Sequence, residues 1–162
     1  MLDLDEKFNV QKPSILYVDD ERDNLTTFKS VFRRHYDVFL AASGPEGIEI
    51  MKNNKIDLVI TDQRMPQMTG IEFLKETIPT HPETVRMILT GFSDVKDIIA
   101  AINDGKVYAY ITKPWHKDEL KISIDNALDK LLEKKRTEEE IDALKKEIER
   151  LNKVIEEFKQ NV

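Results

Sequence analysis

The chain contains no cysteine among its 162 residues, which excludes disulfide scaffolds, Cys-ligated zinc, thiol catalysis and iron–sulfur clusters. It also lacks any excess of positive charge. Its 25 basic and 31 acidic side chains leave a formal charge of −6, which gives no general attraction for nucleic acid. No apolar run approaches the roughly 18 residues of a membrane span, so no membrane contact is expected. The opening Met1-Leu-Asp-Leu-Asp-Glu6 has neither the basic region nor the apolar stretch of a signal peptide. A cytoplasmic protein is expected. What is present is 40% apolar and 35% charged, enough for one core of roughly 100 to 150 residues plus an appendage.

Residues 1–12 are polar and read as a flexible arm. After them, short apolar runs alternate with amphipathic segments. Ser14-Ile-Leu-Tyr-Val-Asp19, Tyr36-Asp-Val-Phe-Leu-Ala-Ala42, Asp57-Leu-Val-Ile-Thr-Asp62, Thr84-Val-Arg-Met-Ile-Leu-Thr90 and Val107-Tyr-Ala-Tyr-Ile-Thr112 predict five strands. Runs this short, separated by helical patterns, indicate βαβ units around a parallel sheet. Phe28, Val31 and Phe32 give the first helix its apolar stripe. Ser43-Gly-Pro-Glu46 reads as a capping box, with Ile48, Ile50 and Met51 behind it. Ser93 or Asp94 is the expected cap of a helix carrying Val95, Ile98, Ile99 and Ile102 and stopping near Gly105. The fold class is α/β, a doubly wound (βα)5 sheet with its site at the strand C-terminal ends. The order of the strands does not follow from this pattern.

The last helix starts near His116 and meets no breaker through Gln160. At about 1.5 Å per residue it is a rod of roughly 65 Å, too long for one small domain to cover. Leu120, Ile124, Leu128 and Leu131 form a stripe expected to dock on the sheet. Farther on, Ile141, Leu144, Ile148, Leu151, Ile155 and Phe158 form a heptad seam, out of phase with that stripe. Isoleucine at every a position, with Leu, Leu and Phe at d, favours a parallel two-stranded coil. Glu140 at g and Lys145 at e are placed to pair between chains. Residues 133–162 therefore read as a helical linker and dimeric coiled coil, with residues 133–140 carrying the phase shift. The coil is expected to lead to an effector outside this chain, and dimerisation to draw also on surface nearer the sheet, since under three heptads is marginal alone.

Asp19, Asp20 and Asp62 fall at the ends of two strands that can neighbour each other where the chain order reverses. Clustered carboxylates repel, and a hard cation such as Mg2+ neutralises them while keeping several of its waters. Thr90 ends the fourth strand and Lys113 follows the fifth, adding a hydroxyl and an ammonium to the same rim. This set suits phosphoryl transfer, in which an aspartate forms an acyl phosphate and the cations neutralise the phosphoryl oxygens.

The stretches Leu16-Tyr-Val-Asp-Asp-Glu21, Ile60-Thr-Asp-Gln-Arg-Met-Pro66 and Ile111-Thr-Lys-Pro-Trp115 resemble a two-component response-regulator receiver domain. Thr69-Gly-Ile-Glu-Phe73 and Ile88-Leu-Thr-Gly91 reinforce a resemblance that covers about residues 13–132. It implies a flavodoxin-like fold in strand order 2-1-3-4-5. It implies that Asp62 accepts a phosphoryl group from a phosphohistidine on a sensor histidine kinase or phosphotransfer protein. Asp20 would ligate Mg2+ directly, Asp19 through water, and the backbone carbonyl of Arg64 would join them. Lys113, before a cis peptide to Pro114, would pair with the phosphate. Thr90 would swing toward it, Tyr110 would follow from an exposed to a buried rotamer, and the change would reach the coil. No enzymatic activity is expected beyond self-phosphotransfer and self-dephosphorylation. The alternative is a phosphorylation-independent scaffold acting through dimer contacts.

Arg64 and Phe92, each two residues past a key position, flank the route of hydrolytic water and are expected to lengthen the phosphate lifetime. Gly91 leaves access to the phosphate open. His35, His81 and His116 share no metal-binding spacing and read as surface or capping residues. Met65, Met68 and Met87 read as site-wall or core filler, and Trp115 as a packing anchor for the long helix. A haloacid-dehalogenase-type phosphatase would need an acid where Arg64 stands, and the acidic loop after the first strand would repel the phosphate of a flavin.

Overall fold

The computed structural model describes residues 11–91, 95–104 and 106–162. Most of the 1–12 arm, Phe92, the Ser93 and Asp94 caps and the Gly105 stop lie outside the described residues. Contacts divide the chain into a unit ending at Leu128 and a second unit, Asp129–Val162.

The first unit is built on five strands: β1 (Ser14–Val18), β2 (Asp37–Ala41), β3 (Leu58–Asp62), β4 (Val85–Thr90) and β5 (Ala109–Thr112). They pair in parallel, in the order β2-β1-β3-β4-β5. This is the doubly wound, flavodoxin-like order expected from the resemblance. Four strands, β2 to β5, start one or two residues later than the sequence pattern predicts. Tyr36 closes the turn after the first helix through its N–H to Phe32 O, and Tyr108 precedes β5 with its N–H on Arg86 O.

Helices α1 (Arg22–Phe32), α2 (Gly44–Asn53), α3 (Gly70–Thr77) and α4 (Val95–Asn103) fill the crossovers, and α5 (Lys117–Gln160) follows β5. Alternation along the strands splits the core into two faces. On one, Tyr17, Leu58, Ile60, Met87 and Leu89 meet Phe28 and Phe32 of α1 and Leu120, Ile124, Ala127 and Leu128 of α5. On the other, Val18, Val59 and Ile88 meet Met51, Phe73, Leu74 and Ile98. Trp115 packs edge-on against Phe28, with ring centroids 6.2 Å apart, and against Phe32 at 5.8 Å. Among the described residues every buried side-chain nitrogen or oxygen has a hydrogen-bond partner.

The expected cap of α2 forms with one difference. Ser43 Oγ accepts from Glu46 N at 3.3 Å, but Glu46 reaches back to Ala42 N rather than to Ser43 N. A complete reciprocal box stands at α3, between Thr69 and Glu72. Helix α5 runs unbroken for 44 residues. Its stripe residues Leu120, Ile124, Leu128 and Leu131 are all buried. The seam residues Ile141, Leu144, Ile148, Leu151, Ile155 and Phe158 are between 46% and 72% exposed. No helix among the described residues is long and apolar enough to cross a membrane.

Candidate functional site

The sheet order places β1 beside β3, and each ends in acid. One carboxylate oxygen from each of Asp19, Asp20 and Asp62 lies within 4.8 Å of the others. Asp19 is fully buried, Asp62 is 9% exposed, and Asp20 is open to solvent. Lys113 reaches in from the end of β5. Its Nζ stands 3.2 Å from Asp62 Oδ1 and 3.3 Å from Asp19 Oδ2, and the Lys113–Pro114 peptide is cis.

Burial pushes the Asp62 carboxyl above the usual carboxylate range; the Lys113 ammonium opposes this, and the negative charge of Asp19 adds to it. For Lys113, burial disfavours the charge, but Asp62 and Asp19 outweigh it and hold the ammonium above its ordinary value. The site thus holds a carboxylate that remains basic beside a cation that remains charged. The ammonium pairs with two of the three clustered carboxylates, so the described residues of the pocket keep an excess of negative charge. Oxygen donors with one solvent-facing member suit a hard divalent ion that keeps part of its water shell.

Asp19 is the most heavily bonded of the three. Its Oδ1 accepts from Glu21 N at 2.9 Å. Its Oδ2 accepts from Tyr17 Oη at 2.7 Å, Asn24 Nδ2 at 3.0 Å and Lys113 Nζ at 3.3 Å. Tyr17 and Asn24 were not among the expected site residues. Burial, the bond to Asp19 and the surrounding negative charge all raise the proton affinity of the Tyr17 phenol far above its usual value. The hydroxyl therefore stays a donor.

Thr90 is buried at the end of β4 beside β3, and its Oγ1 donates to Gly91 O at 2.9 Å. A Cβ placed on Gly91 would meet no described atom within 4 Å, which leaves room beside Thr90. Tyr110 is half-buried in β5 and packs on the α3–α4 side of the sheet, away from the face that carries Tyr17. Arg64 is exposed on the loop after β3, and Phe92 is outside the described residues. That loop is shaped by two further residues. Gln67 adopts a positive φ of 68°, and Gly70 N donates to Gln63 O. A Cβ on Gly70 would stand 2.4 Å from the backbone oxygen of Asp62, so this position admits only glycine while Asp62 stays in place.

A model of the response regulator receiver domain matches residues 15–125, and the chain belongs to that family. It is 34% identical over 125 residues to the hydrogenase transcriptional regulatory protein HoxA of Bradyrhizobium diazoefficiens, a match covering 77% of this chain and 26% of that protein. The chain thus spans about a quarter of the length of the curated relatives it matches. Among solved structures it is similar to a response regulator receiver domain protein from Clostridium thermocellum, with 35% identity, a TM-score of 0.69, and coverage of 73% of this chain and 95% of that one. It is also similar to the signal receiver domain of an HD domain-containing protein from Pseudomonas fluorescens, at 30% identity, a TM-score of 0.73 and coverage of 80% and 96%.

Proposed function

We propose that this chain is the phospho-accepting receiver of a two-component pathway, with Asp62 as the phosphoacceptor. The donor is a phosphohistidine on a sensor histidine kinase or phosphotransfer protein. An Asp62 oxygen forms a bond to phosphorus as the phosphorus–nitrogen bond breaks, and the departing imidazole takes up a proton. The observation that carries this reading is the placement of Lys113 Nζ between Asp62 and Asp19, with Asp20 alongside. Lys113 is positioned to pair with the phosphoryl oxygens, and Thr90 to turn its hydroxyl from Gly91 O toward them. Asp20 and Asp62, with the Arg64 backbone carbonyl, are the groups to hold Mg2+, and Asp19 acts through water because its oxygens are already engaged. Bound there, Mg2+ supplies charge neutralisation for the incoming phosphoryl group.

Thr90 and Tyr110 carry the switch to the surface formed by α4, β5 and α5. The exposed heptad seam of residues 141–158 supports a parallel homodimer, with residues 13–132 as the receiver and 133–162 as linker and coil. The chain serves as the input part of a longer, cytoplasmic regulator. Arg64 and Phe92 slow loss of the phosphoryl group by hindering hydrolytic water.

Treatment with acetyl phosphate and Mg2+, followed by intact mass measurement, is expected to add one phosphoryl mass. The adduct is expected to be lost in Asp62→Asn and on chelation of the metal. An unmodified wild-type protein, or an Asp62→Asn variant that gains the same mass, would overturn the assignment.

A further inference from the structure

Lys113 holds two carboxylates at once, and phosphorylation of Asp62 would change the balance between them. Phosphorylation replaces the single negative charge of the Asp62 carboxylate by up to two on the phosphoryl oxygens, so the ammonium is drawn there and away from Asp19. A buried carboxylate stripped of the one cation it pairs with among the described residues is costly unless other donors remain. Two do remain on the same oxygen. The Tyr17 ring is fully buried and stacks on Phe28 with centroids 4.3 Å apart, so its hydroxyl has no water to turn to. Asn24 is placed by the first turn of α1. Both groups are neutral, so they satisfy Asp19 without cancelling the negative charge that the divalent ion needs. A lysine or arginine in either place would compete with that ion.

We propose that Tyr17 and Asn24 are positioning residues that let Lys113 change partners, holding the Asp19 carboxylate while the ammonium moves to the phosphoryl group. This rests on the reading of Asp62 as phosphoacceptor. Without the Tyr17 hydroxyl, Asp19 pulls harder on Lys113 and also presents more negative charge to a divalent ion. The two ligands of the pocket should therefore respond differently.

Calorimetric titration of the wild-type chain, Tyr17→Phe and Asn24→Ala separates them. Beryllofluoride, a phosphoryl mimic measured at saturating Mg2+, is expected to bind each variant roughly three- to tenfold more weakly. Mg2+ alone is expected to bind at least as tightly as in wild type. Asn24 is partly exposed on α1, so its variant keeps the test sound if Tyr17→Phe loosens the core, which a melting curve reports. Equal weakening of both ligands in both variants assigns the residues to packing and overturns the proposal, as does unchanged beryllofluoride affinity. Failure of wild type to bind beryllofluoride defeats the phosphoacceptor reading itself and this proposal with it.

Discussion

Asp62 is burdened by its surroundings, and that burden has a measurable sign. Burial raises its proton affinity on folding despite Lys113. Between the ordinary carboxylate value and the raised one, the folded state holds more protons than the unfolded state, so stability falls as pH rises through that window. Above it the cost is constant. Asp62→Asn removes the cost, so its melting temperature at pH 7 is expected to exceed that of wild type, by about 2 to 4 °C for each kcal/mol released. The gain should shrink below the ordinary carboxylate range, where wild-type Asp62 is protonated in both states. A lower melting temperature at pH 7 would show that Lys113 outweighs burial. At this scale the acids and Lys113 are legible in the sequence, because charge at the end of an apolar strand run has few structural uses. Tyr17 is not. A tyrosine inside Ile-Leu-Tyr-Val reads as core, and only the fold shows its hydroxyl reaching the acid two residues on. The left-handed Gln67 is equally silent, since no glycine marks it.

Local signals decide how well each element is anticipated. The third helix is held at its start by a reciprocal box, in which Thr69 Oγ1 accepts from Glu72 N at 3.2 Å and Glu72 Oε2 accepts from Thr69 N at 3.0 Å. The next residue is the glycine that touches the Asp62 backbone, so this cap steadies the site loop as well as the helix. Thr69→Ala is expected to cost about 1 kcal/mol in urea unfolding, with faster amide exchange concentrated in α3; an unchanged midpoint would show that Glu72 alone suffices. The Thr-x-x-Glu signal was there to be read, as it was at Ser43. The bond that Ala42 N–H donates to Glu46 was not, because the box pattern points to Ser43 N. The buried Arg86 is another case. Its guanidinium donates to Thr77 Oγ1, Thr84 O and His81 O, a socket made by the α3–β4 turn that spacing alone cannot announce.

For the molecule as a whole, the two stripes of α5 divide along the chain. The first is buried, as its spacing predicts. The second is exposed in the single chain, and the heptad phase, not the fold, is what proposes its cover. Ile148 stands at a central a position and is 57% exposed. Ile148→Asp is expected to convert a dimer to a monomer in sedimentation at micromolar concentration, with the receiver's melting temperature unchanged. A wild-type chain that sediments as a monomer at high concentration would remove the coil from the proposal.

No neighbouring pair in the sheet is a hairpin. Every pairing joins strands separated by at least one helix, and β1 bonds to β3 only after the chain has passed residue 58. Contacts this distant in sequence form late, because loop entropy is lost before they return anything. The acidic cluster is thus assembled only once β1 and β3 have met, and Lys113 joins only after β5 is laid down. During synthesis, then, β1 and β3 can bring Asp19, Asp20 and Asp62 together before the ammonium that pairs with two of them has been made.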